Sequence, residues 1–311
     1  VHTDKKSYFL KKYLQLKPGR VREIYSASDF LYKQGLPVVL PFKTNENEPY
    51  FLYENSVFSL FPFIQGKSFE EVKDRTKSLI SSSSYLAKLH LASKNKVLPR
   101  IKRHDIKILE TKSFQDENVR LKELILQKIN SGNEDELDEV TLEILELKKK
   151  SLDKYLKLLP KKINFTGNCL VHGDYFHNNL FFNENDRVKA IIDLDESKIS
   201  SSVLELIISM FVMSFREEPT TKENIKLAKV FIQTYLQTNS LRYEEFYEGM
   251  LLNFLLTAQN LSFEQKRYYH NNCRTDFVLK RIHKRLSYLY HNFENFTLGF
   301  RSIFDTYSKL S

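Results

Sequence analysis

The hydrophobic pattern of the chain moves between strand and helix periods. The stretch "SYFLKKY", Ser7 to Tyr13, is rich in aromatic residues and alternates, which predicts a strand. "LKPGRVREIYSASDFLYKQGLPV" then starts at a Pro-Gly pair and carries Val21, Ile24, Phe30 and Leu31 at helical spacing, with Gly35 as its stop. In "VVLPFKTNENEPYFLYENSVFSLFPF" the apolar pieces are separated by "KTNENEP" and "EN", the pattern of a meander of short strands. From about Ser68 a helix is expected, with Phe69, Val72, Leu79, Ile80, Leu86 and Leu89 on its apolar face.

Between Arg103 and Lys162 the chain is strongly charged, and "NSGNEDELDE" separates two amphipathic helices, "VRLKELILQKI" and "LDEVTLEILELKKKSLDKYLKLL". The run Lys148 to Lys150 reads as a solvated helix face. Three short strands follow, "NCLVH", "NLFF" and "VKAIID", and from "SSVLELIISMFVMSF" onward the pattern is mostly helical. The expected fold class is α+β. A small mixed N-terminal lobe, an antiparallel sheet plus a helix, spans residues 1–64, and a large, mainly helical C-terminal lobe spans 65–311.

Composition narrows the partners. The chain has 311 residues, a formal net charge of +9 and a pI near 9.2, which favours anionic partners such as nucleotides in general terms. Its two cysteines, Cys169 and Cys273, lack metal-site spacing and suggest no disulfide framework. The absence of a membrane-length apolar run and of a signal-peptide pattern at the N-terminus predicts a cytoplasmic protein. Lys-rich helices alone do not amount to a nucleic-acid recognition module.

The densest chemistry lies in "VHGDYFHNNLFFNENDRVKAIIDLDE". Taken singly, its parts are ordinary: His-Gly-Asp suits many turns, and an Asp after a strand is often a cap. Together they match what phosphoryl transfer from ATP requires, namely a carboxylate to orient the attacking hydroxyl and accept its proton, and hard oxygen ligands to hold Mg²⁺ against the phosphates. Asp174 can be the base. With "NLFF" and "VKAII" as a hairpin, Asn179 and Asp193 fall at neighbouring strand ends and can share one metal.

This string resembles the aminoglycoside phosphotransferase and choline kinase superfamily, which has a protein-kinase-like fold and includes type II homoserine kinases. The shared motif HxDxxxxN is His172, Asp174 and Asn179 here, followed by "IID", Ile191 to Asp193. The resemblance implies that Asp174 is the catalytic base, that His172 supports the catalytic loop, and that Asn179 and Asp193 bind Mg²⁺. It extends over most of the chain. "YFLKKY" is similar to the strand whose lysine grips the ATP phosphates, which nominates Lys11, or Lys12 if the register differs by one. Glu23 is the candidate partner of that lysine. "SLFPFIQG" is similar to the hinge, where the Pro62 carbonyl would accept from adenine and the Ile64 N–H would donate. "YLAKLH" is similar to the helix after the hinge, and "LELI" nominates Glu205 as the family's buried acid. Asp195 is either a second metal contact or a solvent-facing neighbour, and the sequence leans to the latter. The family's first strand and phosphate-covering loop are not visible before Lys11, as expected if the chain begins after them.

The reading that follows is an ATP- and Mg²⁺-dependent kinase acting on a small-molecule hydroxyl, borne by an amino alcohol, a sugar or a homoserine-like compound. A net basic chain argues against a polycationic aminoglycoside. A nucleotide-binding pseudokinase or scaffold and a protein Ser/Thr kinase-like member of the same superfamily are the competing classes.

Overall fold

The computed structural model describes residues 1, 6–96, 98, 101–103, 111–160, 169–215 and 221–307. In chain order the elements are β1 (Tyr8–Tyr13), α1 (Pro18–Lys33), β2 (Phe51–Tyr53), β3 (Ser56–Pro62), α2 (Arg75–Ser93), α3 (Thr111–Asn130), α4 (Glu136–Tyr155), β4 (Cys169–Val171), β5 (Leu180–Phe182), β6 (Val188–Ile191), β7 (Lys198–Ser200), α5 (Ser202–Ser214), α6 (Lys222–Leu236), α7 (Tyr243–Gln259), α8 (Ser262–Tyr268), α9 (Asp276–Leu298) and α10 (Arg301–Tyr307). Packing groups the described residues into two compact units. One comprises those within 1–105, 165–213 and 230–240, and the other comprises the rest. In this grouping α2, β4 to β7, α5 up to Met213 and residues 230–240 fall with the elements before residue 64.

In the first unit, β1, β3 and β2 form an antiparallel sheet in that order. Lys11 lies opposite Ser59 and Lys12 opposite Phe58. Pro18 opens α1 at its first turn, where a missing N–H costs nothing, and Gly35 leaves it at φ +79°. The buried face of α1 is Val21, Ile24, Ala27, Ser28 and Leu31, and Val21 joins Tyr13 and Val57 in a small core that fastens the helix to the sheet.

Three local expectations need correction. Residues 37–41 form no strand of a meander: Val38 makes a lone parallel bridge to Ile191, the terminal residue of β6, since Pro37 and Pro41 preclude a continuous ladder. No helix begins at Ser68. Ser68 and Glu71 close a capping box around a single 3₁₀ turn, Val72 is extended, and α2 starts only after Asp74 accepts from the Lys77 N–H at 3.0 Å. The apolar spacing of Phe69 and Val72 thus runs through two successive caps. Finally, the short polar strand β7 pairs with β4, Cys169 opposite Ser200, where the sequence suggested none.

The expected hairpin of β5 and β6 is present, with Leu180 opposite Ile191. Behind it, α2 is fastened to α6 by Ser83 Oγ donating to the Phe231 carbonyl at 2.6 Å, and to the segment after α6 by Asn239 donating to the Ala87 carbonyl at 2.8 Å.

The second unit is helical. Asp135 caps α4, Ile144 packs with Leu279 and Ile282 of α9, and Phe254 and Phe293 sit 5.7 Å apart against Tyr155. The lysine run departs from a uniformly solvated face. Lys149 and Lys150 are exposed, but Lys148 is fully buried, ion-paired to Glu264 at 2.5 Å and donating to the Asn260 carbonyl. Among the described residues no helix is long and apolar enough to cross a membrane.

Candidate active site

The site is built at the ends of β4 and β6, all within the first unit. The buried strand β4 delivers His172, Gly173 and Asp174. Glu205, in the first turn of α5, accepts from the backbone N–H groups of His172 (3.1 Å) and Gly173 (2.6 Å) and from His90 Nε2 (2.8 Å). Burial alone would raise its proton affinity. The His90 contact and the backbone donors outweigh this and hold its carboxyl below the ordinary range. Gly173 has φ +85°, and a Cβ there would collide with the Glu196 carbonyl, so this position needs glycine on two counts.

The His172 ring is buried. Its Nδ1 accepts from the Asp174 N–H at 3.3 Å, which leaves Nε2 protonated to donate to the Ile192 carbonyl at 2.9 Å. His172 therefore ties the loop to the end of β6 and is itself removed from solvent. Asp174 remains open to solvent at its side chain. Partial desolvation nevertheless pushes its carboxyl up, opposed by a hydrogen bond from Asn179. Asn179 Nδ2 donates to both the Asp174 carbonyl (2.8 Å) and its Oδ2 (3.1 Å), so the amide oxygen is the atom left to accept or coordinate.

The hairpin puts the backbones of Asn179 and Asp193 at neighbouring strand ends: Leu180 pairs with Ile191, the Ile192 N–H donates to the Asn179 carbonyl at 3.0 Å, and Asp193 follows at φ +61°. Lys11 Nζ lies 2.7 Å from Asp193 Oδ1 and 2.8 Å from Asp195 Oδ2. Burial works against the ammonium, yet the two carboxylates hold its pKa above the usual lysine value. Desolvation likewise raises the aspartates' own proton affinity. Lys11 reverses this for Asp193, whose pKa falls, while Asp195 stays raised beside its like-charged neighbour. Asp195 is thus no solvent-facing neighbour, contrary to the leaning of the sequence.

Strand alternation settles which lysine enters. Phe9, Lys11 and Tyr13 line a cavity of about 360 Å³, together with Pro62, Ile64 and Asp193. Lys12 points the other way, its ammonium 5.8 Å from the centre of the Phe58 ring. Glu23 is the correction. Its carboxylate takes a 3.0 Å bond from Arg20 Nη1 and does not pair with Lys11. On α1 it is Val21, Ile24, Tyr25 and Ser28 that line the cavity, on either side of Glu23 in sequence.

Among the described residues, no three His, Cys, Asp or Glu side chains cluster as a metal site. The available donors are one amide oxygen and two carboxylates, all hard oxygen ligands suited to Mg²⁺. The Lys11 ammonium shows that both carboxylates converge on a single positive charge.

The sequence model of the phosphotransferase enzyme family matches residues 1–246. Among solved structures, an aminoglycoside phosphotransferase from Alicyclobacillus acidocaldarius superposes with a TM-score of 0.66 at 13% identity, covering 97% of this chain and 88% of its own. A spectinomycin phosphotransferase in complex with ADP and spectinomycin gives 0.59 at 15% identity, over 91% and 83%. An amicoumacin kinase bound to AMP-PNP, Ca²⁺ and Ami gives 0.56 at 14%, over 91% and 82%. No curated protein sequence matches. The architecture is the kinase-like α+β fold these structures share.

Proposed function

This chain belongs to the phosphotransferase enzyme family, and we propose that it transfers the γ-phosphate of ATP to a hydroxyl group of a small molecule with the help of Mg²⁺. The observation that carries the reading is a solvent-open Asp174 bonded to the amide of Asn179, whose carbonyl is tied to the Ile192 N–H, next to the Lys11-bridged pair Asp193 and Asp195 that lines an apolar cavity. Adenine would fill the apolar part, its exocyclic amine donating to the Pro62 carbonyl and its ring nitrogen accepting from the Ile64 N–H. Lys11 would exchange its carboxylate partners for phosphate oxygens. Asn179, Asp193 and Asp195 have the donor chemistry to hold the metal, which when bound neutralises charge on the phosphates.

Asp174 orients the acceptor hydroxyl and takes its proton as the hydroxyl oxygen bonds to the γ-phosphorus and the bond to the β-phosphate oxygen breaks, releasing ADP. His172 acts one step removed, holding the loop in register with β6. A small-molecule acceptor is supported by family membership and by the small ligands of the spectinomycin phosphotransferase and the amicoumacin kinase. Amino alcohols, sugars and homoserine-like compounds are the classes to test.

The experiment is ATP turnover across a panel of such alcohols, wild type against Asp174→Asn. A positioned base contributes on the order of 100- to 10,000-fold, so the variant should lose turnover by that factor while keeping its nucleotide affinity. Wild-type turnover in Asp174→Asn would overturn the assignment.

A further inference from the structure

Arg20 is absent from the machinery described so far, yet it makes the closest contacts between α1 and the turn that carries the two aspartates. Its Nη2 donates to the carbonyls of Asp195 and Ser197, each at 2.6 Å, while Nη1 is braced by Glu23 at 3.0 Å. The turn is otherwise held from the loop side, by His172 on the Ile192 carbonyl and by the Ile192 N–H on Asn179, and internally by the Ser197 N–H on the Leu194 carbonyl. It also contains a non-glycine residue in the left-handed region, Asp193, a conformation that persists only where the surroundings enforce it. We propose that Arg20, oriented by Glu23, is a positioning residue that fixes the Asp193–Ser197 turn so that both carboxylates converge on one cation. This inference rests on the phosphotransferase reading of the site.

The chemistry of the contact favours arginine specifically. Nη2 alone donates to two carbonyls of one turn, while Nη1 of the same planar guanidinium is held by Glu23, so the fork keeps the turn and the carboxylate at a fixed separation. An ammonium is a point donor without that fork. Glu23, nominated as the lysine's partner, has a different task here: its charge holds the guanidinium, so that α1 reaches the turn through the Asp195 and Ser197 carbonyls while Lys11 reaches both aspartates through their side chains.

The test is Mg²⁺ titration of the binding of a fluorescent ATP analogue, with metal-free affinity measured in EDTA as the control for general damage. Removing a group that orients metal ligands typically costs 10- to 100-fold in metal affinity or activity. Arg20→Gln should therefore raise the Mg²⁺ concentration for half-maximal binding by about 10-fold or more at near wild-type metal-free affinity. Arg20→Lys should fall in between, and Glu23→Gln should shift the midpoint in the same direction by less. An unchanged midpoint in Arg20→Gln overturns the proposal. Should that variant fail to fold, unchanged midpoints in both Arg20→Lys and Glu23→Gln overturn it instead. A wild type whose nucleotide binding ignores Mg²⁺ defeats the underlying metal-site reading, whereas a responsive wild type whose variants keep its Mg²⁺ midpoint defeats the role of Arg20 alone.

Discussion

Lys11 and Lys12 are chemically identical neighbours, and a strand turns their side chains to opposite faces. Lys11 meets Asp193 and Asp195, while Lys12 lies over Phe58. An ammonium aimed at developing phosphate charge acts like other preorganised electrostatic groups, whose removal costs on the order of 100- to 1,000-fold in rate. Lys11→Met should therefore lower kcat or raise the KM for ATP by about that order in steady-state assays. Lys12→Met should change neither, losing only a cation–π contact worth roughly 0.5–1 kcal/mol in a thermal melt. The reverse outcome would mean that β1 is out of register by one. A one-residue offset also separates Glu23 from Ile24. On a helix that step is about 100°, enough to move a carboxylate from the cavity to the side of α1 where Arg20 waits.

At the level of elements, the loop that carries His172 and Gly173 is held by α5. Glu205 accepts from two consecutive loop N–H groups and from His90, and removing one partner of a buried charged network typically costs about 3–5 kcal/mol. Glu205→Gln should lower the melting temperature and loosen the loop even though it removes no group that touches substrate. The pH dependence has a definite sign. Because the folded pKa of Glu205 is depressed, its ionised form contributes stability fully above the unfolded value of about 4.3. That contribution is lost as pH falls through the folded value. Melting curves of wild type and Glu205→Gln should therefore converge on acidification below about pH 4. A constant gap between them across that window would show that Glu205 acts by shape alone.

For the whole molecule, every residue assigned to the nucleotide and the metal lies in the unit formed by residues 1–105, 165–213 and 230–240. A ligand that binds only the folded state stabilises by about 2.7 kcal/mol at 100 times its dissociation constant. ATP with Mg²⁺ should raise the melting temperature accordingly, and hydrogen exchange should slow in β1, α1 and β4 to β6. Asp193→Ala should lose the Mg²⁺-dependent part of that rise and keep the part due to nucleotide alone. Protection confined to α3, α4 and α9 would place the ligand elsewhere.

The sequence by itself determined the elements with strong periods and the residues with obligatory chemistry. The strand at Tyr8, the helix from Pro18 and the hairpin of β5 and β6 follow from local alternation, helical spacing and turn residues. Asp174, Asn179 and Asp193 could be read together because the hairpin between them sets their proximity over a short stretch of chain. Tertiary structure alone decided what depends on distant segments meeting. It directed Lys11 toward Asp195, gave Glu23 to Arg20, bridged Val38 to Ile191, paired β7 with β4 and drew Lys148 out of a charged run into a buried pair with Glu264. A charge in sequence carries no record of its partner. A lysine on a solvated face and a lysine buried against a carboxylate from a helix more than a hundred residues away read the same until the chain has folded.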